Sequence, residues 1–261
     1  MKKAIAIILI VVLAGGFIFG AYMLIKTLIT AENERKKFES VVNIIDSEKG
    51  TEVNEATGTL RKYDPLYERN KDFFGWLKIE GTKIDYPVMY TPRDNEYYLH
   101  RDFDGNYSES GCLFIDGACP ANGNYYLIYG HHMINGSMFG ELPKYQSYDF
   151  YKEHKKIFFD TRYELRDYEV VAAFYAEVYD VSDEKNHFCY YKYADLSNPN
   201  TFYEYVSNVK AMSVYDTGVN PVYGDDLIAL STCNYHTEDG RFVVVARRIA
   251  DSPTATEGSK E

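Results

Sequence analysis

The 261-residue chain has one tryptophan, four cysteines and no stripe of basic side chains, and each scarcity removes a class of protein. Cysteines at 112, 119, 189 and 233 are too few for the disulfide framework of a small secreted domain. Cys112 and Cys119 are close enough in sequence to be bridged, but CLFIDGAC has no metal-ligand spacing, and these two with Cys189 read as small buried hydrophobes. The 28 basic residues are outnumbered by 39 acidic ones, giving a formal charge of −11, and they do not line up as successive phosphates would require. No nucleic-acid partner is expected. Hydrophobic residues make up 46% of the chain, ample for a core. Its 26 tyrosines and 15 phenylalanines favour pleated surfaces, so an all-β or α+β domain is the first expectation.

Lys2 and Lys3 precede an uncharged run of 22 residues, Ala4 to Ile25, which at helical rise spans a hydrocarbon core of about 30 Å. The run is too long for the apolar part of a signal peptide, usually about 7 to 15 residues, and Ile29-Thr30-Ala31 is a poor cleavage site. An uncleaved anchor is the better reading. Lys26, Arg35, Lys36 and Lys37 follow the span and dilute the positive-inside signal, yet a short cytoplasmic stub with the bulk of the chain outside is the economical topology. Gly16 and Gly20 form a GxxxG pair, a weak pointer to helix pairing because glycine is common in membrane helices.

Beyond the span, Phe38, Val41, Val42 and Ile45 recur at helical spacing within a charged segment, predicting a helix from Thr30 to Ile45. Residues 46 to 60 are polar and read as a linker or loose turn, followed by a short helix near Pro65 to Asn70. From Phe73 the chain breaks into GWLKIEG, KIDYPVMY, GCLFID, NYYLIYG, YEVVAAFYAEVY, DLIALS and RFVVVARRI, seven strand-like pieces that argue for one sandwich or barrel. Pro199 to Met212 has helical periodicity and reads as an inserted helix. The expected division is 1–29 for the stub and anchor, 30–69 for helix and linker, 70–250 for the main domain and 251–261 for a flexible tail.

Two blocks carry possible chemistry. In DLIALSTC the strand turns polar at Ser231 and Thr232, so Cys233 sits where it leaves the core, and Arg241 opens the next apolar run eight residues later. If those runs pair, thiol and guanidinium share a rim; taken alone, a buried cysteine and a surface arginine explain the same residues. In LIYGHHM, His131 stands at another strand exit, where an imidazole suits proton transfer. His132 points elsewhere if the chain is extended. A zinc set of His131, His132, Cys233 and His236 lacks any recurring ligand spacing.

YGHHM with its GSMF loop, and LSTC followed by Arg241 before FVVVA, resemble the two signature blocks of the sortases, membrane-anchored cysteine transpeptidases of Gram-positive bacteria. FGWLKIEGTKIDYPVMY, the DNEYYLHRDFDG block and the helix inserted before the cysteine strand are similar to class B, and the resemblance runs from about Asn70 to Ile249. It implies a closed eight-stranded β-barrel with N-terminal helices and one inserted helix. It assigns Cys233 as nucleophile, His131 as general acid and base, and Arg241 as substrate and oxyanion donor, with Asn95, Tyr129 and Ser231 along the groove. The sequence reads ALSTC where the family has TLxTC, so Ala229 replaces a threonine four residues before the thiol. Implied partners are surface proteins with a C-terminal sorting signal of Asn-Pro-x-Thr or similar type, cleaved after threonine, and an amine of a peptidoglycan precursor. Implied location is the cell membrane, single-pass, with the catalytic domain outside; no cofactor or metal is implied. Two rivals stand beside it. A secreted, membrane-anchored cysteine protease of papain type would place the nucleophile before the histidine, the reverse of this chain. A non-catalytic surface binding protein would leave Cys233 structural and inert.

Overall fold

The computed structural model describes residues 2–47, 51–233, 237 and 239–249. The expected tail at 251–261, the linker residues 48–50, and Asn234, Tyr235, His236 and Glu238 of the turn after Cys233 lie outside the described residues. Contacts divide the chain into two units, Met1–Asn43 and Ile44–Glu261.

The first unit is helical. Helix α1 runs without a break from Lys2 to Ser47, joining the apolar span and the charged segment that the sequence suggested as separate pieces. No glycine or proline falls between Lys26 and Ser47, and Arg35 pairs with Glu32 and Glu39 one turn to either side, so nothing ends the helix there. Its stretch Val12–Ile45, 34 residues, is long and apolar enough to cross a membrane. Phe17, Ile18 and Phe19 lie on different sides of it and are 79%, 68% and 65% exposed, a surface suited to hydrocarbon rather than water.

In the second unit eight strands close a barrel. They are β1 (Phe73–Lys78), β2 (Asp85–Met89), β3 (Leu113–Ile115), β4 (Tyr125–Tyr129), β5 (Lys156–Thr161), β6 (Asp167–Glu177), β7 (Leu227–Cys233) and β8 (Gly240–Arg248), in the order β1-β2-β3-β4-β7-β8-β6-β5. β2 with β3 and β4 with β7 are parallel, and the other neighbours are antiparallel. Closure removes exposed edges, which would otherwise recruit other strands. All seven strand-like pieces are strands. β5 is the one that pattern reading passes over: its burial alternates, but in KIFFDT the adjacent Ile157, Phe158 and Phe159 break the apolar–polar alternation in residue type.

Three short or inserted helices complete this unit: α2 (Asp64–Arg69), α3 (Tyr148–Glu153) and α4 (Pro199–Met212). α4 begins where the Asn198 side chain accepts from the N–H groups of Asn200 and Thr201 with Pro199 in its first turn. It buries Phe202, Tyr205, Val206 and Val209, a single face at helical spacing. The segment before α2 is more ordered than a linker. Val53 bridges Leu60, and the Asp64 carboxylate accepts from Thr59 Oγ1 at 2.6 Å and Asn54 Nδ2 at 2.8 Å, with Thr59 and Leu60 buried. Hydrogen bonds among polar side chains supply what low hydrophobicity hid.

Candidate active site

Strand register pairs two of the three principal residues, and the third lines the same cavity. In the antiparallel pair β7–β8, Cys233 lies opposite Arg241, and in the parallel pair β4–β7, Tyr129 lies beside Ser231. The alignment continues past the end of β4, because the Gly130 N–H donates to the Ser231 carbonyl at 3.2 Å and Thr232 Oγ1 donates to the Gly130 carbonyl at 2.7 Å. His131 follows immediately on this aligned Gly130 and lines one cavity with Cys233. Cys233 and Arg241 thus share one rim of the β7–β8 pair, and His131, two residues past the end of β4, lines the same cavity. Gly130 is required at the bend: a Cβ there would lie 2.4 Å from Leu113 Cδ2 and 2.7 Å from Phe139 Cδ2, both on fully buried side chains.

Each of the three side chains has a distinct setting. Cys233 is partly exposed, whereas Cys112, Cys119 and Cys189 are buried. Burial pushes the Cys112 thiol well above its ordinary range and Cys119 up to about 11, which leaves both inert as nucleophiles. His131 contacts the Leu99 carbonyl through Nε2 at 2.8 Å. A carbonyl only accepts, so Nε2 carries the hydrogen. His132 Nδ1 likewise donates to the Cys233 carbonyl at 3.0 Å, which ties down the backbone of the thiol-bearing residue. Arg241 gives Nη1–H to the Gly240 carbonyl at 3.0 Å, and among the described residues no carboxylate pairs with it.

The shared cavity, of about 470 Å³, also has Asn95, Tyr129 and Ser231 in its walls. Asn95 is exposed, and its Oδ1 accepts from the Gly117 N–H at 2.6 Å. Tyr129 donates to Asp116 Oδ2 at 3.1 Å, and burial, with the Asp116 charge, holds its phenol far above the usual range and therefore protonated. Ser231 is buried and shares a hydrogen bond of 2.7 Å with the Tyr190 hydroxyl. Burial pushes Tyr190 up to about 12, against the pull of Ser231 and the Arg241 charge.

Sequence reasoning had no means of finding Tyr190 or the Leu99 carbonyl. Tyr190 sits in a 3-10 turn, Tyr190–Lys192, within an irregular insertion and among many tyrosines, and a backbone oxygen leaves no mark on residue type. Of the zinc set, His131 and His132 each turn a ring nitrogen to a backbone carbonyl, and His236 lies outside the described residues. A larger cleft, about 960 Å³, lies between residues 181–195 and α4 and includes none of His131, Cys233 and Arg241.

An eight-stranded barrel that sets a solvent-reachable thiol between an imidazole and a guanidinium is the framework of a cysteine acyl-transfer enzyme. The sequence model of the Sortase domain family matches residues 77–249. The chain is 35% identical over 191 residues to sortase B of Listeria monocytogenes, covering 70% of this chain and 72% of that one. It is 29% identical over 256 residues to sortase B of Staphylococcus aureus, covering 95% and 98%. A solved Staphylococcus aureus sortase B–substrate complex superposes with a TM-score of 0.73 at 28% identity, covering 86% of this chain and all of that one. The chain belongs to the sortase family of cysteine transpeptidases, and within it to class B.

Proposed function

We propose that the enzyme cleaves a C-terminal sorting signal after threonine and transfers the surface protein to an amine of peptidoglycan or its precursor. Cys233 thiolate attacks the threonine carbonyl carbon, forming a C–S bond, and the tetrahedral adduct collapses with loss of the C–N bond. His131 delivers a proton from Nδ1 to the departing amine. In the second half an acceptor amine gives a proton back to Nδ1 as its nitrogen attacks the thioester, and the C–S bond breaks to regenerate the thiolate. Arg241 donates N–H bonds to the oxygen that becomes negative in both adducts, a task suited to a permanently charged, forked donor. Asn95, Tyr129 and Ser231 contact the bound signal along the cavity wall.

The observation that carries this reading is the shared cavity of His131, Cys233 and Arg241, with Cys233 opposite Arg241 across β7–β8 and Arg241 spending no charge on a carboxylate among the described residues. That a related sortase B was solved with its substrate supports a peptide as the first ligand. The apolar helix at the N-terminus supports a single-pass anchor with the barrel on the outer face, where both substrates are found.

Mass spectrometry of the detergent-solubilised full chain, incubated with an Asn-Pro-x-Thr peptide and an oligoglycine amine, tests the reading. The expected products are a peptide truncated after threonine and joined to the amine, together with a thioacyl adduct on Cys233. Cys233→Ala is expected to give neither, with an unchanged thermal melt. Transfer by that variant at the wild-type rate would refute the assignment.

A further inference from the structure

We propose that His100 is a positioning residue for His131, holding the face of the imidazole while the Leu99 carbonyl holds its edge. The inference rests on the reading of His131 as the general acid and base.

Leu99 and His100 are consecutive residues of one 3-10 turn, Tyr97–His100, and Leu99 lines the same cavity as Cys233. Leu99 accepts the Nε2–H of His131 at 2.8 Å, and the His100 ring lies over the His131 ring with centroids 5.3 Å apart and planes 29° from parallel. A hydrogen bond at one edge nitrogen does not by itself fix the plane of an imidazole, because the terminal torsion of histidine is soft. A ring against its face restrains that plane, and offset stacking at this separation is attractive. Nδ1 is then confined to a narrow set of directions, which is what proton transfer to a fixed reacting atom requires.

The turn is held rigidly enough for this. Tyr98 is buried, donates to Asp72 Oδ2 at 2.9 Å and accepts from Asn70 Nδ2 at 2.7 Å, while its carbonyl takes the Cys112 N–H at 3.0 Å. Arg101 lies over the Tyr97 ring at 4.2 Å and donates to the Tyr97 carbonyl at 3.0 Å. His100 itself is stacked on Tyr107 at 6.5 Å, and its carbonyl accepts from the Ser108 N–H at 3.1 Å. Gly111 passes directly beneath at φ +59°, where a Cβ would lie 2.3 Å from the Leu99 oxygen and 2.6 Å from the Tyr98 oxygen. Only glycine leaves the Leu99 carbonyl where His131 meets it.

Steady-state kinetics of peptide transfer by the full chain test the proposal, with His100→Ala, His100→Phe and His131→Ala measured side by side and each variant's melt recorded. His100→Ala is expected to lower kcat about 5- to 20-fold with KM within about twofold, as loss of orientation rather than of binding. His100→Phe, which keeps a planar ring and has no nitrogen, is expected to restore kcat to within about twofold of wild type. Wild-type kcat in His100→Ala, or a Phe variant as slow as the Ala variant, would overturn the positioning role while His131→Ala remains inactive. An active His131→Ala would instead strike at the reading beneath it.

Discussion

The β7–β8 hairpin carries arginines at both ends, and the two ends treat them differently. At the end near Leu227, Arg247 pairs with Glu169 and Asp225, and Arg248 pairs with Glu164 and Asp226. At the other end Arg241 donates to a backbone carbonyl and meets no carboxylate among the described residues, although the formal charge of the chain is −11 and acidic groups are plentiful. The first end uses its guanidinium groups to tie β8 to Glu169 of β6, to Glu164 before it and to Asp225 and Asp226 before β7. The second keeps donors available beside a thiol and an imidazole, at a place where the cavity admits a ligand. A charged group withheld from pairing in a chain rich in partners is a stronger pointer to function than its residue type.

Replacing the guanidinium by an ammonium at each end breaks the comparison most directly. Arg241→Lys is expected to lower kcat/KM by roughly 10- to 100-fold with an unchanged melt, because a point charge cannot supply two directed donors to a forming oxyanion. Arg248→Lys is expected to lower the melting temperature and leave activity per folded molecule intact. Kinetics and thermal melts of both variants decide the matter, and near-normal turnover by Arg241→Lys would remove Arg241 from the mechanism.

Ser231 lies between these extremes, on the cavity wall yet buried. Ser231→Ala removes the partner of the Tyr190 hydroxyl, and a buried hydroxyl left unpaired costs about 1 to 2 kcal/mol. The expected outcome is a melting point lower by several degrees with kcat reduced no more than about fivefold. Adding Tyr190→Phe to the same chain should recover part of the stability, since both polar ends of the bond are then gone.

How much of this was legible in residue types follows from the physics of each feature. Cys233 and Arg241 could be paired from the sequence because a hairpin fixes its own register once both apolar runs are recognised. His131 could be placed at a strand exit, but its neighbour across the sheet could not, because a parallel pairing over 102 residues is set by the whole barrel. The resemblance supplied that link. β5 was hidden by three consecutive apolar residues that mask its alternating burial, the ordered turn at 51–60 by its polarity, and the Leu99 carbonyl and the His100 ring by acting through backbone and geometry. α1 was legible in composition but not in continuity, since a change from apolar to charged residues alters what surrounds a helix without ending it.

The smallest expected effect belongs to the paired end and separates it from the rim by pH. Burial alone would raise the Glu164 carboxyl, but the Arg248 hydrogen bond and the charge and hydrogen bond of Arg166 outweigh it and hold the group below the usual carboxylate range. A carboxyl depressed in the folded state binds its proton more readily when unfolded. Its stabilising contribution is therefore complete above the unfolded value, near 4.3, and is lost as pH falls through the folded value. Glu164→Gln is expected to lower stability at pH 7 by only about 0.5 to 1 kcal/mol, as the amide still accepts one bond and the pair is partly solvated. Thermal melts from pH 7 to pH 3 should show the gap between wild type and variant closing below about pH 4. Arg241, with no carboxylate among the described residues to titrate against, should contribute nothing to that closing gap. An Arg241→Lys melt that tracked the Glu164→Gln melt through the acid range would show the two ends to be alike after all.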